Sequence, residues 1–411
     1  ETQSMKDEII RPTFKRKIKI EGSALFLMGP IGSFFSRLSS YLAKKEIKTY
    51  KISFPLYEFG FSKSKRIYFN KDILSFKEFL KQVILKKEIK HIFMYGNVLI
   101  PHRQALDLSQ ELQKEGVKIN THIFELGYLR PNFVTLESDG INFTSSLILN
   151  KDFYMQQEGY KKLPTVAKHG LRIRKFWKLI TFINHCFQNY KLVEFEHKLQ
   201  PKPHYLWFQI KGFLLKYYFQ LSEYKLKKKY FNINPFFITI LQVSTDSQLT
   251  KGSNFKNNYE FIEYVIKNFS NSNIKNVNLI FKHHPRDRGY INYSDHIKLI
   301  SKKFNIEKKV FYFHDCFLSN IFSNPNCKGT VLINSTVGYQ SLFHSVPVKS
   351  LGVAPYNIEG LSDQKSLTSF FRNPSKVDKS LFLKFYRYII ENSQINGNFD
   401  EKFPFSDVFI I

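Results

Sequence analysis

The sequence predicts an α/β protein made of two doubly wound domains, and three observations point there. Short apolar runs alternate with amphipathic stretches of helical spacing. The runs stop at clusters of Gly, Pro, Asn, Ser or Thr, as strands do when they turn into helices. The alternation occurs twice, on either side of a basic, aromatic-rich stretch. A chain of 411 residues also exceeds what one core usually organises, roughly 100–200 residues.

In the first series, Ala24 to Met28 reads as a buried strand, Gly29-Pro30-Ile31-Gly32 as a turn, and Ser33 to Lys45 as an amphipathic helix. Strands are then expected at Thr49 to Phe54, His91 to Tyr95 and Lys118 to Phe124, with helices at Phe76 to Lys86 and Gln104 to Glu115. Such alternation implies a parallel sheet covered by helices. From Leu171 to Tyr230 the texture becomes helical, dense in Trp, Phe, Lys and Arg. The second series has strands at Phe236 to Val243, Val277 to Lys282, Val310 to Phe313 and Gly329 to Ile333. Its helices lie at Tyr259 to Asn268, around Ile297 to Phe304, and from Tyr339 to His344. The expected organisation is a first domain over 1–170, a linking segment over 171–230, a second domain over 231–375, and a C-terminal helix and tail over 376–411.

Composition bounds function more loosely. Hydrophobic residues at 43% supply a sizeable core and exclude wholesale disorder. A surplus of 62 Lys+Arg over 34 Asp+Glu attracts polyanions: nucleic acid, anionic lipid or a nucleotide-linked substrate. The charge does not choose among them, and the abundance of Lys, Ile, Asn and Phe is equally the mark of a biased genome. Cys186, Cys316 and Cys327 are too widely spaced for a disulfide framework or a zinc pattern, which favours a reducing cytoplasm. No window approaches the roughly 18 apolar residues of a membrane span, so a soluble or peripheral protein is expected.

Several loops that follow strands carry chemistry-bearing residues. Lys282-His283-His284-Pro285 ends a strand where a doubly wound fold places its ligand, and a Lys–His pair there can donate to phosphate oxygens. A loop histidine stopped by proline is the structural alternative. Asn334-Ser335-Thr336-Val337-Gly338 joins a strand to a helix start, with hydroxyls and N–H groups suited to a phosphate; ordinary helix capping explains it as well. Asp246, after the first strand of the second series, has the position of a nucleophile or base, with a helix cap or Asx turn as the alternative. In the first domain, Glu125 can act as acid or base and Arg130 can grip an anion; an internal Glu–Arg pair is the alternative. Gly29 to Gly32 is neither a dinucleotide fingerprint nor a Walker loop.

Taken together, Phe26 to Phe35, Phe124 to Pro131 with Thr135-Leu136-Glu137, Lys282 to Gly289, and Asn334 to Gly338 with Pro347-Val348-Lys349 resemble the single-module KpsS-type capsule proteins, a family of β-Kdo glycosyltransferases. The resemblance spreads over residues 24 to 375 and is weakest from about 150 to 235. It implies a GT-B fold with two Rossmann-like domains facing a cleft, CMP-Kdo as donor, no metal or other cofactor, and retention of configuration by double displacement. By motif, Asp246 corresponds to the nucleophile, and His284 and Ser335 to residues that hold the CMP phosphate. Lys282 and Thr336 lie beside them, Asn334 and Arg130 are further donor-binding candidates, and Glu125 corresponds to the carboxylate that assists the acceptor hydroxyl. The implied acceptor is phosphatidylglycerol or lysophosphatidylglycerol at the inner face of the cytoplasmic membrane. That gives the segment from Leu171 to Tyr230 a use against anionic head groups, with capsule-assembly proteins as further partners and no nucleic acid. Leu126 departs from the family pattern, which often has a second acid there, and Asn97 to His102 matches only loosely. Two other readings stay open: an inverting GT-B enzyme using another nucleotide sugar, and a non-catalytic basic protein that binds polyanions or assists capsule assembly.

Overall fold

The computed structural model describes residues 10–30, 32–54, 64–168, 205–400 and 402–411. They fall into two compact units, the first drawn from Glu1–Ser146, Gln156–His197 and Leu383–Ile411, the second from Leu147–Met155 and Lys198–Phe382.

The first unit contains β1 (Ile18–Lys19), β2 (Ser23–Phe26), β3 (Thr49–Ser53), β4 (Lys65–Tyr68), β5 (Ile89–Tyr95), β6 (Asn120–Leu126) and β7 (Phe133–Glu137). Helices α1 (Phe34–Ala43), α2 (Phe76–Lys87) and α3 (Ile100–Lys114) alternate with them. Strands β4-β3-β2-β5-β6 are parallel and carry the order of half a Rossmann fold, because β3 and β4 wind to one side of β2 while β5 and β6 wind to the other. One core beneath the sheet gathers Leu25, Ile52, Phe76, Leu80, Ile92 and Leu108; the other face is filled by Phe26, Phe34, Phe35, Phe93 and Phe124. Rings meet edge to face there, as Phe34 does with Phe124 at 5.0 Å.

Beyond the short helical turn Lys151–Met155, the second unit has two consecutive helices, α4 (Tyr205–Ser222) and α5 (Tyr224–Asn232). It continues through β8 (Phe236–Ile240), α6 (Ser247–Lys251), α7 (Asn258–Ser272), β9 (Asn278–Lys282), α8 (Ser294–Lys303), β10 (Val310–Phe313), β11 (Cys327–Leu332), α9 (Val337–Phe343) and β12 (Val348–Ser350). All five strands are parallel in the order β10-β9-β8-β11-β12, the same half-Rossmann winding. Phe236 to Ile240 is buried throughout, which is why the central strand reads as a continuous apolar run rather than an alternating one. Gly329 lets Phe237 and Phe370 close over it, since a Cβ there would lie 2.7 Å from the Phe370 ring.

After α10 (Lys379–Asn392) the chain supplies β13 (Gln394–Asn396) and β14 (Phe409–Ile410) to the first unit. β13 pairs antiparallel with β7, and β7 antiparallel with β6, so the first sheet is mixed rather than wholly parallel as expected. Buried polar contacts hold this addition: Ser393 Oγ donates to Glu137 Oε1 at 2.9 Å, and Gln394 Oε1 accepts from the Tyr128 N–H at 2.8 Å. The expectation of two Rossmann-like α/β domains is met by the two sheets. Of the basic, aromatic segment read from Leu171 to Tyr230, residues 171–204 lie outside the described residues, and the remainder is α4 and α5.

Candidate active site

In a half-Rossmann sheet the ligand-binding edge is at the carboxyl ends of the strands, beside the point where the winding reverses. In the second unit that point lies between β8 and β11. Loop 241–247 leaves β8, loop 283–293 leaves the adjacent β9, and loop 333–336 leaves β11. Asp246, His284 and Ser335 therefore sit on three neighbouring loops at one edge.

Hydrogen bonds tie these loops together. Gln242 Nε2 donates to Asn334 Oδ1 at 2.9 Å, and the Asn334 amide donates in turn to the Gln248 carbonyl at 2.9 Å. Asn258 Nδ2 donates to the Gln242 carbonyl at 2.8 Å and to the Tyr293 hydroxyl at 3.0 Å. The Ser244 N–H donates to Asp287 Oδ2 at 2.6 Å, joining the Asp246 loop to the loop of His284. Burial pushes the Asp287 carboxyl upward, the Ser244 N–H opposes that, and the charge of nearby Asp246 adds to it. Asn334 thus reaches the edge with its side chain committed to holding the loops.

Asp246 is the N-cap of α6: its Oδ1 accepts from the Gln248 N–H at 3.0 Å. The capping alternative is realised, and it engages one carboxylate oxygen. His284 likewise caps the short 3-10 turn Pro285–Asp287, with Nδ1 accepting from the Arg286 N–H at 3.2 Å. A nitrogen that accepts from an N–H carries no proton, so Nε2 bears the proton of the neutral ring.

The adjacent histidine has a different environment. His283 is fully buried, with Nδ1 2.6 Å from the Tyr312 hydroxyl, whose oxygen accepts from the Tyr293 N–H at 3.4 Å. Burial drives its pKa down to about 3, with His314 adding to the effect. Of the two histidines only His284 is in the solvent-reaching part of the loop.

Lys282 ends β9 almost buried, and its Nζ donates to the His283 carbonyl at 3.3 Å. Burial lowers its pKa, while the neighbouring Cys316 and Asp315 pull the other way. Arg288, also buried, pairs with Asp315 at 3.3 Å. Two basic side chains thus meet at the end of β9, one of them already paired with a carboxylate.

At the end of β11, Ser335 Oγ accepts from the Val337 N–H at 3.3 Å and the Ser335 carbonyl from the Tyr356 hydroxyl at 2.6 Å. Gly338 allows that tyrosine in, because a Cβ would lie 2.4 Å from its ring. The Gly338 and Tyr339 N–H groups are spent on the Ser335 and Thr336 carbonyls, at 3.0 and 3.2 Å. Only seven residues long, α9 offers a weaker anion end than the strand-to-helix pattern suggested, and the Ser335 and Thr336 hydroxyls become the better donors.

Two residues that spacing did not single out complete this edge. Glu223, the residue between α4 and α5, accepts from the His314 and Asp315 N–H groups at 2.9 and 3.4 Å and from His314 Nδ1 at 2.8 Å. Phe219 stacks on the His314 ring at 3.6 Å. Glu223 and His314 are 91 residues apart, and no local motif links them.

In the first unit, Glu125 lies on β6 with Oε1 accepting from the Leu126 N–H at 2.9 Å. Gly96, at φ 71°, makes room at the end of β5: a Cβ there would come within 3.3 Å of Glu125 Oε2. Arg130 is exposed and donates through Nε to the Gly127 carbonyl at 3.1 Å; among the described residues it forms no ion pair with Glu125, whose Oε1 is on the Leu126 N–H. Glu137, part of the same family-like motif, is a core residue bound by Ser145 and Ser393, with its pKa raised by burial. Cys316 and Cys327 are free thiols pushed up to about 12 by burial, and Cys186 lies outside the described residues. Among the described residues no helix is long and apolar enough to cross a membrane.

Known proteins share this sequence pattern. The chain is 32% identical over 408 residues to the capsule polysaccharide modification protein LipB of Neisseria meningitidis, covering 96% of each chain. It is 27% identical over 385 residues to the capsule polysaccharide export protein KpsS of Escherichia coli, covering 91% of this chain and 95% of that one. Among solved structures, Thermosulfurimonas dismutans KpsC, a beta Kdo 2,7 transferase, aligns over 88% of this chain and 89% of its own, with 14% identity and a TM-score of 0.42. The family model described as capsule polysaccharide biosynthesis protein matches residues 97–400, which span Glu125, Asp246, His284 and Ser335, and the chain belongs to that family.

Proposed function

We propose that this protein is a retaining β-Kdo glycosyltransferase of GT-B architecture that moves Kdo from CMP-Kdo to a phosphatidylglycerol-type lipid during capsule polysaccharide synthesis. The observation that carries the reading is the convergence of Asp246, His284 and Ser335 on three cross-linked loops at the reversal point of the second sheet. Membership of the capsule family and its likeness to capsule relatives over nearly the whole chain support the biological setting.

In this reading the Asp246 carboxylate attacks the anomeric carbon of Kdo, a carbon–oxygen ester bond forms, and the bond to the CMP phosphate oxygen breaks. CMP departs with the bonding pair as a phosphate monoester. The His284 Nε2–H and the Ser335 hydroxyl donate to that phosphate, Thr336 and Lys282 add donors and positive charge beside it, and Asn334 fixes the loop that carries Ser335. An acceptor hydroxyl then attacks the same carbon from the opposite side, Glu125 takes its proton, and Asp246 leaves as a carboxylate. Two inversions give net retention. Arg130 is assigned to an anionic group of a substrate. Action on a lipid places the protein peripherally, at the inner face of the cytoplasmic membrane.

The test is incubation with CMP-Kdo and short-chain phosphatidylglycerol, followed by mass spectrometry and NMR of the product. A Kdo adduct of retained configuration supports the reading. An inverted product points to Asp246 as a base instead, and no CMP release at all removes the enzymatic reading.

A further inference from the structure

The helix α4 is apolar on two opposite faces, and among the described residues one packs on the fold while the other is exposed. Its inward stripe, Phe208, Gly212, Phe219 and then Glu223, lies on the loops after β9 and β10. Phe208 meets the Tyr290 ring at 4.8 Å, Phe219 stacks on His314, and Glu223 binds His314 and Asp315. At Gly289 a Cβ would lie 2.1 Å from the Phe208 carbonyl oxygen and 3.0 Å from the Gly212 nitrogen, so the two backbones nearly touch.

The outward stripe is Trp207, Ile210, Phe213, Leu214, Tyr217, Tyr218 and Leu221, and every one of these is exposed, Leu214 at 60% and Leu221 at 82%. At 100° per residue they occupy an arc of about 140° along a helix about 27 Å long. Lys211 borders the arc on one side and Lys216 on the other. The next helix, α5, continues the surface with exposed Tyr224 and Leu226 among exposed Lys225, Lys228 and Lys229. From Tyr205 to Asn232 the sequence has one acidic residue, Glu223, and it is buried. An apolar stripe fringed on both sides by lysine, with Trp and Tyr among the apolar residues and no exposed carboxylate, is the surface of an interfacial helix. Lysine stems can lie along the apolar boundary while the ammonium groups reach anionic head groups.

We infer that the outward face of α4, continued by α5, docks the protein on an anionic bilayer, lying in the head-group plane while the inward face of the same helix rests on the loops of the candidate donor site. Such docking rests on the lipid-acceptor reading given above for its biological sense. Vesicle binding is measured without turnover, however, so either idea can fail alone. A second copy of the chain is the other occupant for such a face, but it would bring Lys211, Lys216 and the lysines of α5 against a surface that has no exposed carboxylate to pair with them.

The full-length protein is co-sedimented with phosphatidylcholine vesicles and with vesicles containing phosphatidylglycerol, alongside the double variant Leu214→Asp, Leu221→Asp. Circular dichroism and thermal melting check that the variant remains folded. Wild type is expected to partition about tenfold more strongly onto the anionic vesicles, less so at high salt, and the double variant to lose about tenfold or more of that binding. In a Trp177→Phe background, emission from Trp207 shifts to the blue on vesicle addition. The inference is overturned if wild type stays in the supernatant, if the folded double variant binds within twofold of wild type, or if the wild type is a dimer that the variant dissociates while Trp207 emission ignores vesicles.

Discussion

Gln242 and Asn334 are 92 residues apart, yet the Gln242 amide donates to the Asn334 side-chain oxygen at 2.9 Å and so fastens the loop after β8 to the loop after β11. The Asn334 amide group continues the link to the Gln248 carbonyl. Replacing Asn334 by Ala leaves these partners to water or to nothing, at roughly 1–3 kcal/mol for each buried polar group left unsatisfied. Asn334→Ala is expected to melt at a lower temperature and to bind CMP more weakly, because it loosens the loops of both Asp246 and Ser335. Melting and CMP titration at wild-type values would show that the link does not organise the site.

Gly289 is the position where the helix α4 comes closest to the loop of His284. Gly289→Ala puts a methyl group 2.1 Å from the Phe208 carbonyl oxygen, an overlap that only backbone movement relieves. A destabilisation of about 1–3 kcal/mol in denaturant unfolding is expected. Unfolding of Gly289→Ala at wild-type stability would contradict the close approach.

The buried His283 predicts a pH dependence of stability. Its pKa in the fold is about 3, against roughly 6.5 for an unfolded histidine. Between these values the unfolded chain holds a proton that the folded one does not. The contribution is complete above about pH 6.5 and is lost as pH falls toward 3, with a slope approaching 1.4 kcal/mol per pH unit, roughly. Stability of His283→Asn is expected to fall less steeply than wild type over that window. Parallel curves would mean that His283 is protonated in the fold.

Much of this site was legible because strand ends announce themselves. Leu279-Ile280-Phe281 and Thr330-Val331-Leu332-Ile333 are continuous apolar runs stopped by polar residues, and both prove to be parallel strands of the second sheet. What stayed hidden depends on partners remote in sequence. Glu223 reads as a lone acid in a basic helix until the fold brings His314 to it, and Gln242 reads as a loop residue until it meets Asn334. β4, Lys-Arg-Ile-Tyr, lacks an apolar run because it is a sheet edge with exposed side chains. β13 is short and polar because its Gln394 is used in a buried network with Thr135 and Tyr128. That the first N–H groups of α9 are satisfied within its own turn is likewise a matter of local geometry that a strand-to-helix pattern does not carry.

Asp246 tests the chemistry apart from the fold, because capping and nucleophilic attack ask different things of its side chain. Asn caps a helix about as well as Asp, whereas Ala loses the cap at a cost of about 1 kcal/mol. Asp246→Asn is therefore expected to melt like wild type and Asp246→Ala a few degrees lower, with both unable to transfer sugar. A sharp loss of stability in the Asn variant would assign Asp246 a structural role only.

Transfer through Asp246 is measured most directly as product formation by wild type and Asp246→Asn from CMP-Kdo and short-chain phosphatidylglycerol, with CMP release followed alongside. Wild type is expected to release CMP and yield a Kdo-lipid of retained anomeric configuration, while the folded Asn variant yields none. Undiminished transfer by Asp246→Asn, or a wild type that leaves CMP-Kdo intact in the presence of this acceptor, would contradict it.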